Sequence, residues 1–225
     1  MDTSRADALD SLLRDRYSCR GFRPDPVPQP VLDRIVATAQ RSASWCNAQP
    51  WQVCLTRGAA TERFREAMLA PPADDEPGPD FAWPAAYEGV YQTRRRECGL
   101  ALYQAVGVAR GDREAAARQG RENLRLFGAP HVALVTTPRA LGVYGAVDCG
   151  AWVAAFMLAA TAHGVATIAQ AALAARPQRV RDFFGLPADR LVVCGVSLGY
   201  ADTAHPANGF RTTRAEPADA VRWVD

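Results

Sequence analysis

At 225 residues the chain suits one large domain or two small ones, and its 26 basic and 24 acidic residues leave a formal charge of only +2, so nucleic acid is not an implied partner. Every basic residue is arginine, which excludes Schiff-base catalysis by a lysine amine and a phosphate-binding loop built on Gly-Lys-Ser/Thr. Six cysteines without a C-x-x-C pair and three isolated histidines point to neither a zinc site nor a disulfide framework.

In chain order, residues 6–13 set Ala6, Leu9, Leu12 and Leu13 on one helical face, with Asp2 and Thr3 as caps. No apolar leader is visible there. The four prolines of "RPDPVPQP" forbid regular structure, and "VLDRIVATAQRS" resumes helical spacing after Pro30. "WQVCLT" (51–56) reads as a strand and "TERFREAML" (61–69) as a helix. Residues 70–86 hold five prolines and an acidic cluster, the composition of a functional loop, here a lid over a site, or of a disordered one.

Two helices follow, "RRRECGLALYQAVGV" and "DREAAARQGRENLRLFG", the second begun by Asp112 and ended by Gly128. Next come a strand over 131–137, an apolar helix from Asp148 to Ala162, a short strand "VATIA", a helix over 176–185 and a strand over 190–198. The apolar tract Cys149–Gly164 is shorter than the roughly 20 residues of a membrane span, so a buried helix in a soluble, cytoplasmic protein is expected. The near-continuous apolar strands imply a sheet covered on both faces. One α/β domain is expected, with no repeat or flexible linker.

"GVSLG" (195–199) matches the nucleophile-elbow pattern with Ser197, but the following "YADTAHPANGF" has no helical periodicity to complete an elbow. A strand end is the better reading. In "RYSCRGF", Arg16, Ser18 and Arg20 alternate along an extended connector; alternate residues face one way, so two guanidinium groups and a hydroxyl can converge on an anionic ligand about 10 Å long. The plain alternative is a solvated connector. "RSASWCNAQPW" (41–51) offers Ser44, Asn47 and Gln49 to a heteroaromatic edge, or is simply a helix-terminating turn. In the tail, Arg211 and Arg214 stand ready to complete an anion site, or lie on a surface segment.

In order, "RYSCRGF" with "PDPVP", "SASWCNAQPW", "YQTRRRECGLALYQAVGVARGD", "ENLRLFGAPHVALVTT", "TIAQAALA" and "VSLGYADTAHPANGFRTTRAEP" resemble the FMN-dependent nitroreductase family, nearest its nitrobenzoate reductase-like branch. The resemblance covers nearly the whole chain. It implies an α/β (α+β) nitroreductase-like fold with a central mixed sheet flanked by helices. It further implies one domain over 1–225, a lid over about 70–92, a tail over about 200–225 that embraces a partner, and an intertwined homodimer with two flavins at the interface.

Carried over by position, the resemblance makes Arg16, Tyr17, Ser18 and Arg20 the N-terminal flavin motif. Arg16 and Ser18 lie toward phosphate and ribityl, and Arg20 toward the pyrimidine side of the ring. It puts Ser44, Asn47 and Gln49 beside the isoalloxazine, and backbone N–H groups of Ala169, Gln170 and Ala171 beside N5 and O4. Arg214 falls on the phosphate, assisted by Arg211. No protein residue is implied as catalytic, the flavin N5 carrying the chemistry, and no metal is implied.

Trp45 and Cys46 stand where small residues are frequent, and "IAQAA" lacks the acidic residue one branch carries beside N5. Phe81, Trp83, Tyr87 and Tyr91 of the lid are where aromatic substrates would stack, making Trp45, Tyr87 and Tyr91 the substrate candidates. The implied activity is NAD(P)H reduction of FMN followed by ping-pong hydride transfer to a nitroaromatic or quinone-like acceptor, without nucleic acid or membrane. Two other readings stay open: a flavin-dependent dehydrogenase or dehalogenase of a metabolite, and a non-catalytic flavin-binding protein.

Overall fold

The computed structural model describes residues 3–73 and 75–224; the proposed Asp2 cap lies outside them. Among the described residues, seven α-helices and four strands follow the expected order. They are α1 Thr3–Asp15, α2 Gln29–Ala39, β1 Gln52–Leu55, α3 Ala59–Leu69, α4 Gly89–Ala105, α5 Arg113–Arg121, β2 His131–Pro138, α6 Gly142–Ala162, β3 Ala166–Gln170, α7 Pro177–Phe184 and β4 Arg190–Gly199.

The strands form one sheet in the order β1-β2-β4-β3. All three pairings are antiparallel. The parallel component of the expected mixed sheet is confined, among the described residues, to one bridge between Ser18 and Thr167. The apolar strands reflect two covering layers rather than parallel strands. On β2, Ala133 and Val135 pack with α2 and α6, through Leu32, Ile35, Trp152 and Phe156. The alternate residues Val132 and Leu134 pack with Phe64 and Met68 of α3 and Val180 of α7. The two-residue period of the strand thus feeds two cores.

Local signals account for several boundaries. Pro30 occupies the first turn of α2, Asp112 accepts from the Ala115 N–H at 2.8 Å to start α5, and Gly185 closes α7 at φ 63°. The helix expected over 112–128 ends instead at Arg121, and Leu126 and Phe127 adopt left-handed backbone at φ 58° and 52°. Burial of both side chains, and a 2.8 Å bond from Gln170 Nε2 to the Asn123 carbonyl, hold this break. The apolar helix α6 is longer than expected, and by length and composition alone it would pass as a membrane span. The length argument therefore falls; instead Cys149, Trp152, Val153, Phe156, Ala159 and Ala160 place one side of α6 in the core.

The proline-rich segment is not free over its first part. Arg176, preceding α7, donates to the carbonyls of Met68 and Ala70 at 2.9 Å. Arg179 bonds Glu76 and the carbonyls of Ala67, Ala70 and Pro71. Arg181 pairs with Asp80 at 2.7 Å. Asp80 and the start of this segment are thus tied to Arg176, Arg179 and Arg181, and Tyr91 belongs to α4.

His131 joins the start of β2 to the connector before α2. Its Nε2 accepts from the Val27 N–H at 3.0 Å, and Nδ1 contacts the Thr56 carbonyl at 3.0 Å. Only the neutral Nδ1–H tautomer satisfies both. Burial holds its pKa below the ordinary 6.5, partly opposed by the Thr56 contact. Below pH 6.5 the unfolded chain therefore binds more protons at this site than the folded one, so stability falls as the pH is lowered. Urea unfolding between pH 7.5 and 5 should be flatter in His131→Gln, though that variant is less stable at pH 7.5; equal slopes would refute the assignment.

Candidate functional site

"RYSCRGF" runs extended between α1 and α2 along the open edge of β3. The Cys19 N–H donates to the Thr167 carbonyl at 3.0 Å, and Cys19 and Phe22 are buried in the second core. From the tail, Asn208 Oδ1 accepts from the Arg20 N–H at 2.7 Å while its Nδ2 donates to the carbonyls of Gly21 and Asp202, both at 2.8 Å. One amide thus clamps the start of the chain to the segment after β4. With the odd residue Cys19 turned inward, Arg16, Ser18 and Arg20 emerge together, as alternation requires.

They line a cavity of about 350 Å³ with Tyr17, Arg14 and Cys98; Arg211, Thr212 and Arg214 close it from the tail. Five arginines and no carboxylate form this wall. Burial lowers the pKa of Arg16, helped by the charge of Arg214, and burial likewise lowers that of Arg20. The Arg211 guanidinium lies 3.7 Å from the centre of the Tyr17 ring. Burial raises the Tyr17 pKa above its ordinary value, so the phenol stays neutral. Arg211 also donates to the Asn208 and Phe210 carbonyls at 2.8 Å, and Arg214 to Thr212 Oγ1 at 2.9 Å. Arg14 has Asp10 at 3.9 Å outside the wall; the rest of this cationic, part-desolvated lining suits an anion bearing several oxygens.

Arg20 also borders a second cavity of about 450 Å³ shared with α5 and His205. A third, about 930 Å³, opens from the first past Cys98, Arg211, Thr212 and Arg214 along α4.

The other sequence candidates stand apart from this cavity. Ser44, Asn47 and Gln49 form an exposed turn: Ser44 Oγ accepts from the Gln49 N–H at 2.9 Å, and Gln49 Nε2 donates to Asn47 Oδ1 at 3.0 Å. Cys46, Asn47 and Gln49 sit at φ 51°, 55° and 47°, three non-glycine residues in left-handed backbone within four positions. Strain so concentrated persists only where neighbours over-determine it. Tyr87 and Tyr91 are exposed around the start of α4 and do not line the arginine cavity, and Arg95 lies over the Tyr87 ring.

Ala169 and Ala171 are exposed where β3 gives way to the short 3₁₀ turn Ala171–Ala175. This turn crosses β4 so closely that a Cβ at Gly195 would lie 2.4 Å from Leu173 Cδ1. The Gln170 side chain points inward: Oε1 accepts from Ser197 Oγ at 2.5 Å and Nε2 reaches Asn123. Gln170 can thus offer a ligand only its backbone. Ser197 is buried in mid-strand, so no nucleophile elbow forms there. Arg14, Thr212, Asn208 and Cys98 join the site without a local sequence signal. Only the Asn-Gly step at 208 is suggestive, and it reads as a turn.

The nitroreductase family model matches residues 13–200. The chain is 36% identical to nitroreductase NfnB of Mycolicibacterium smegmatis over 97% of this chain and 93% of that one. It is 31% identical to a 4-nitrobenzoate reductase of Nocardioides sp., over 95% and 88%. A crystal structure of the FMN-dependent NfnB from Mycobacterium smegmatis in complex with NADPH superposes with a TM-score of 0.92, covering 98% of this chain and 99% of that one. The chain belongs to the nitroreductase family.

Proposed function

We propose that this protein is an FMN-dependent oxidoreductase that takes electrons from NAD(P)H and delivers them to a nitroaromatic or quinone-like acceptor. The acid-free arginine cavity carries the reading: it suits the phosphate of FMN, where a carboxylate would be expected had the arginines been structural. The names of the relatives support the same cofactor and substrate class. Bound FMN would supply the two-electron transfer in a ping-pong cycle.

The chain's own residues bind and orient. Arg16, Ser18 and Arg214 hold the phosphate end, with Arg211 and Tyr17 as a stacked pair beside them. Arg20 sets a cation at the pyrimidine end, favouring the reduced, more negative ring. Backbone N–H groups at Ala169, Gln170 and Ala171 border the ring. Tyr87 and Tyr91 belong to the acceptor side.

The turn with Ser44, Asn47 and Gln49 lies away from its own chain's arginine cavity, which is understandable if a second copy brings it to the flavin. The exposed faces support a homodimer. Leu9 and Leu13 of α1, Val143 and Val147 of α6, and Val221, Trp223 and Val224 of the tail are all exposed, Trp223 by 88%. Such apolar area is expected to be covered.

Purified protein supplied with FMN should show a flavin spectrum that NADPH or NADH bleaches anaerobically and a nitroaromatic restores. Bound FMN that neither nicotinamide bleaches would refute the reading and favour a dehydrogenase or dehalogenase.

A further inference from the structure

The turn at Ser44–Gln49 presents Trp45, 59% exposed, edge-to-face against Tyr144, 57% exposed, with ring centroids 4.4 Å apart and planes at 75°. Two exposed rings packed against one another form a contiguous apolar surface of the kind that marks an interaction site. The pair joins two distant segments, the turn after α2 and the first turn of α6, and both are fixed.

Asp148, one turn along α6 from Tyr144, accepts from the Trp45 N–H with both carboxylate oxygens, at 3.1 and 3.3 Å. From the other side a chain of amides reaches the turn out of the core. Trp51 Nε1 donates to Gln40 Oε1 at 2.9 Å, Gln40 Nε2 to Gln49 Oε1 at 3.2 Å, and Gln49 Nε2 to Asn47 Oδ1 at 3.0 Å. Trp45 is therefore anchored immediately before three residues held in left-handed backbone. An exposed turn so heavily constrained is preorganised, and the constraint acts on where the indole ring points.

We infer that Trp45 and Tyr144 form a rigid aromatic wall for the ring of the electron-poor acceptor, and that Asp148 is the residue that positions it. The inference rests on the oxidoreductase reading above, which places the 44–49 turn beside a flavin. An indole face is electron-rich and a nitroarene ring electron-poor, so face-to-face stacking is favoured, while Tyr144 blocks rotation of the indole away from that pose. Charged or non-planar acceptors gain nothing from the wall. Its effect is selectivity for flat aromatic acceptors, exerted through binding.

The test compares nitrobenzene with ferricyanide as acceptors for the FMN-loaded enzyme, with anaerobic flavin bleaching by NADPH measured in every variant. Trp45→Leu should lower kcat/KM for nitrobenzene relative to ferricyanide about three- to tenfold, chiefly through KM, the range expected for one lost aromatic contact. Tyr144→Leu should shift the ratio in the same direction. Asp148→Ala should reproduce the Trp45→Leu ratio and remove the near-ultraviolet circular dichroism of the Trp45–Tyr144 pair. Asp148→Asn, which keeps an oxygen to accept from the Trp45 N–H, should restore both.

A ratio unchanged in Trp45→Leu while NADPH still bleaches the flavin would overturn the wall and leave the oxidoreductase reading intact; absence of bleaching in the unmodified protein would overturn both. If Tyr144→Leu dissociates the protein on gel filtration without moving the ratio, the pair is a subunit contact and the inference fails. Equal losses in Asp148→Ala and Asp148→Asn would remove Asp148 from the positioning role.

Discussion

Asp80→Ala should cost about 3–5 kcal/mol of stability, the range for removing one partner of a buried ion pair. For a chain of this size that is a fall in Tm of roughly 10 °C. The side chains of Arg181 and Asp80 are 9% and 8% exposed. Asp80 accepts from Arg181 Nη1 with both oxygens, at 3.0 and 2.7 Å, and from the Val192 N–H at 2.8 Å. The substitution strands a guanidinium that keeps only the Arg190 carbonyl and Gln178 as partners, and it orphans a backbone donor at the edge of β4.

The effect should also be local. Arg176 and Arg179 still hold Ala67, Met68, Ala70, Pro71 and Glu76, so the segment released begins after Glu76, and limited proteolysis should move to residues 77–88. Asp80→Leu combined with Arg181→Met should recover most of the loss, because the desolvation of both charges disappears together. A double variant as unstable as Asp80→Ala would mean that packing, not charge, fixes the loop.

That loop marks one boundary of what the sequence discloses. Five prolines identify the segment as irregular, but nothing local indicates that three arginines about 100 positions later hold it down. The core elements were legible because their evidence is periodic: the alternation of β2, the spacing of α2 and the apolar run of α6 each reflect a face buried along its whole length. Where tertiary contacts decide, local pattern misleads. The "DREAAARQGRENLRLFG" stretch reads as one helix, yet it breaks because Leu126 and Phe127 bury better from a left-handed turn. Apolar strands disclose the two covering layers but not the sense of the strands, since two-sided burial constrains only the former.

The site divides in the same way. Arg16, Ser18 and Arg20 converge because alternation in an extended segment is a local rule. Arg211 and Arg214 join them through the Asn208 clamp, and Asp148 meets Trp45 across 103 positions, contacts that no spacing reveals.

Within the arginine cavity, Arg16→Ala and Arg20→Ala should separate the two ends of the proposed ligand. Arg16 has no carboxylate within ion-pair distance among the described residues, and Arg214 depresses its pKa further. Its removal takes a charged donor from the phosphate, worth about 1.5–3 kcal/mol, so the Kd for FMN should rise roughly 10- to 100-fold. The same change relieves repulsion with Arg214, so the FMN-free variant should be at least as stable as the FMN-free parent. A substitution that weakens ligand binding while sparing or raising apoprotein stability is the signature of charge held in wait for an anion. A parallel loss of both would instead make Arg16 structural.

Arg20 differs because Asn208 holds its N–H at 2.7 Å, a bond that alanine retains; its Nη1 bond to the Ser18 carbonyl, at 3.2 Å, is lost, but the backbone clamp should keep the motif on its path. The lost guanidinium would then be felt at the ring. Arg20→Ala should lower the flavin potential and the turnover more than it loosens FMN, because a cation near the pyrimidine stabilises the reduced form selectively. Fluorescence titration of FMN and dye-equilibrated potentials on both variants decide the matter. If Arg20→Ala proves the poorer FMN binder and Arg16→Ala the one with the lowered potential, FMN lies in the cavity end for end from the orientation proposed.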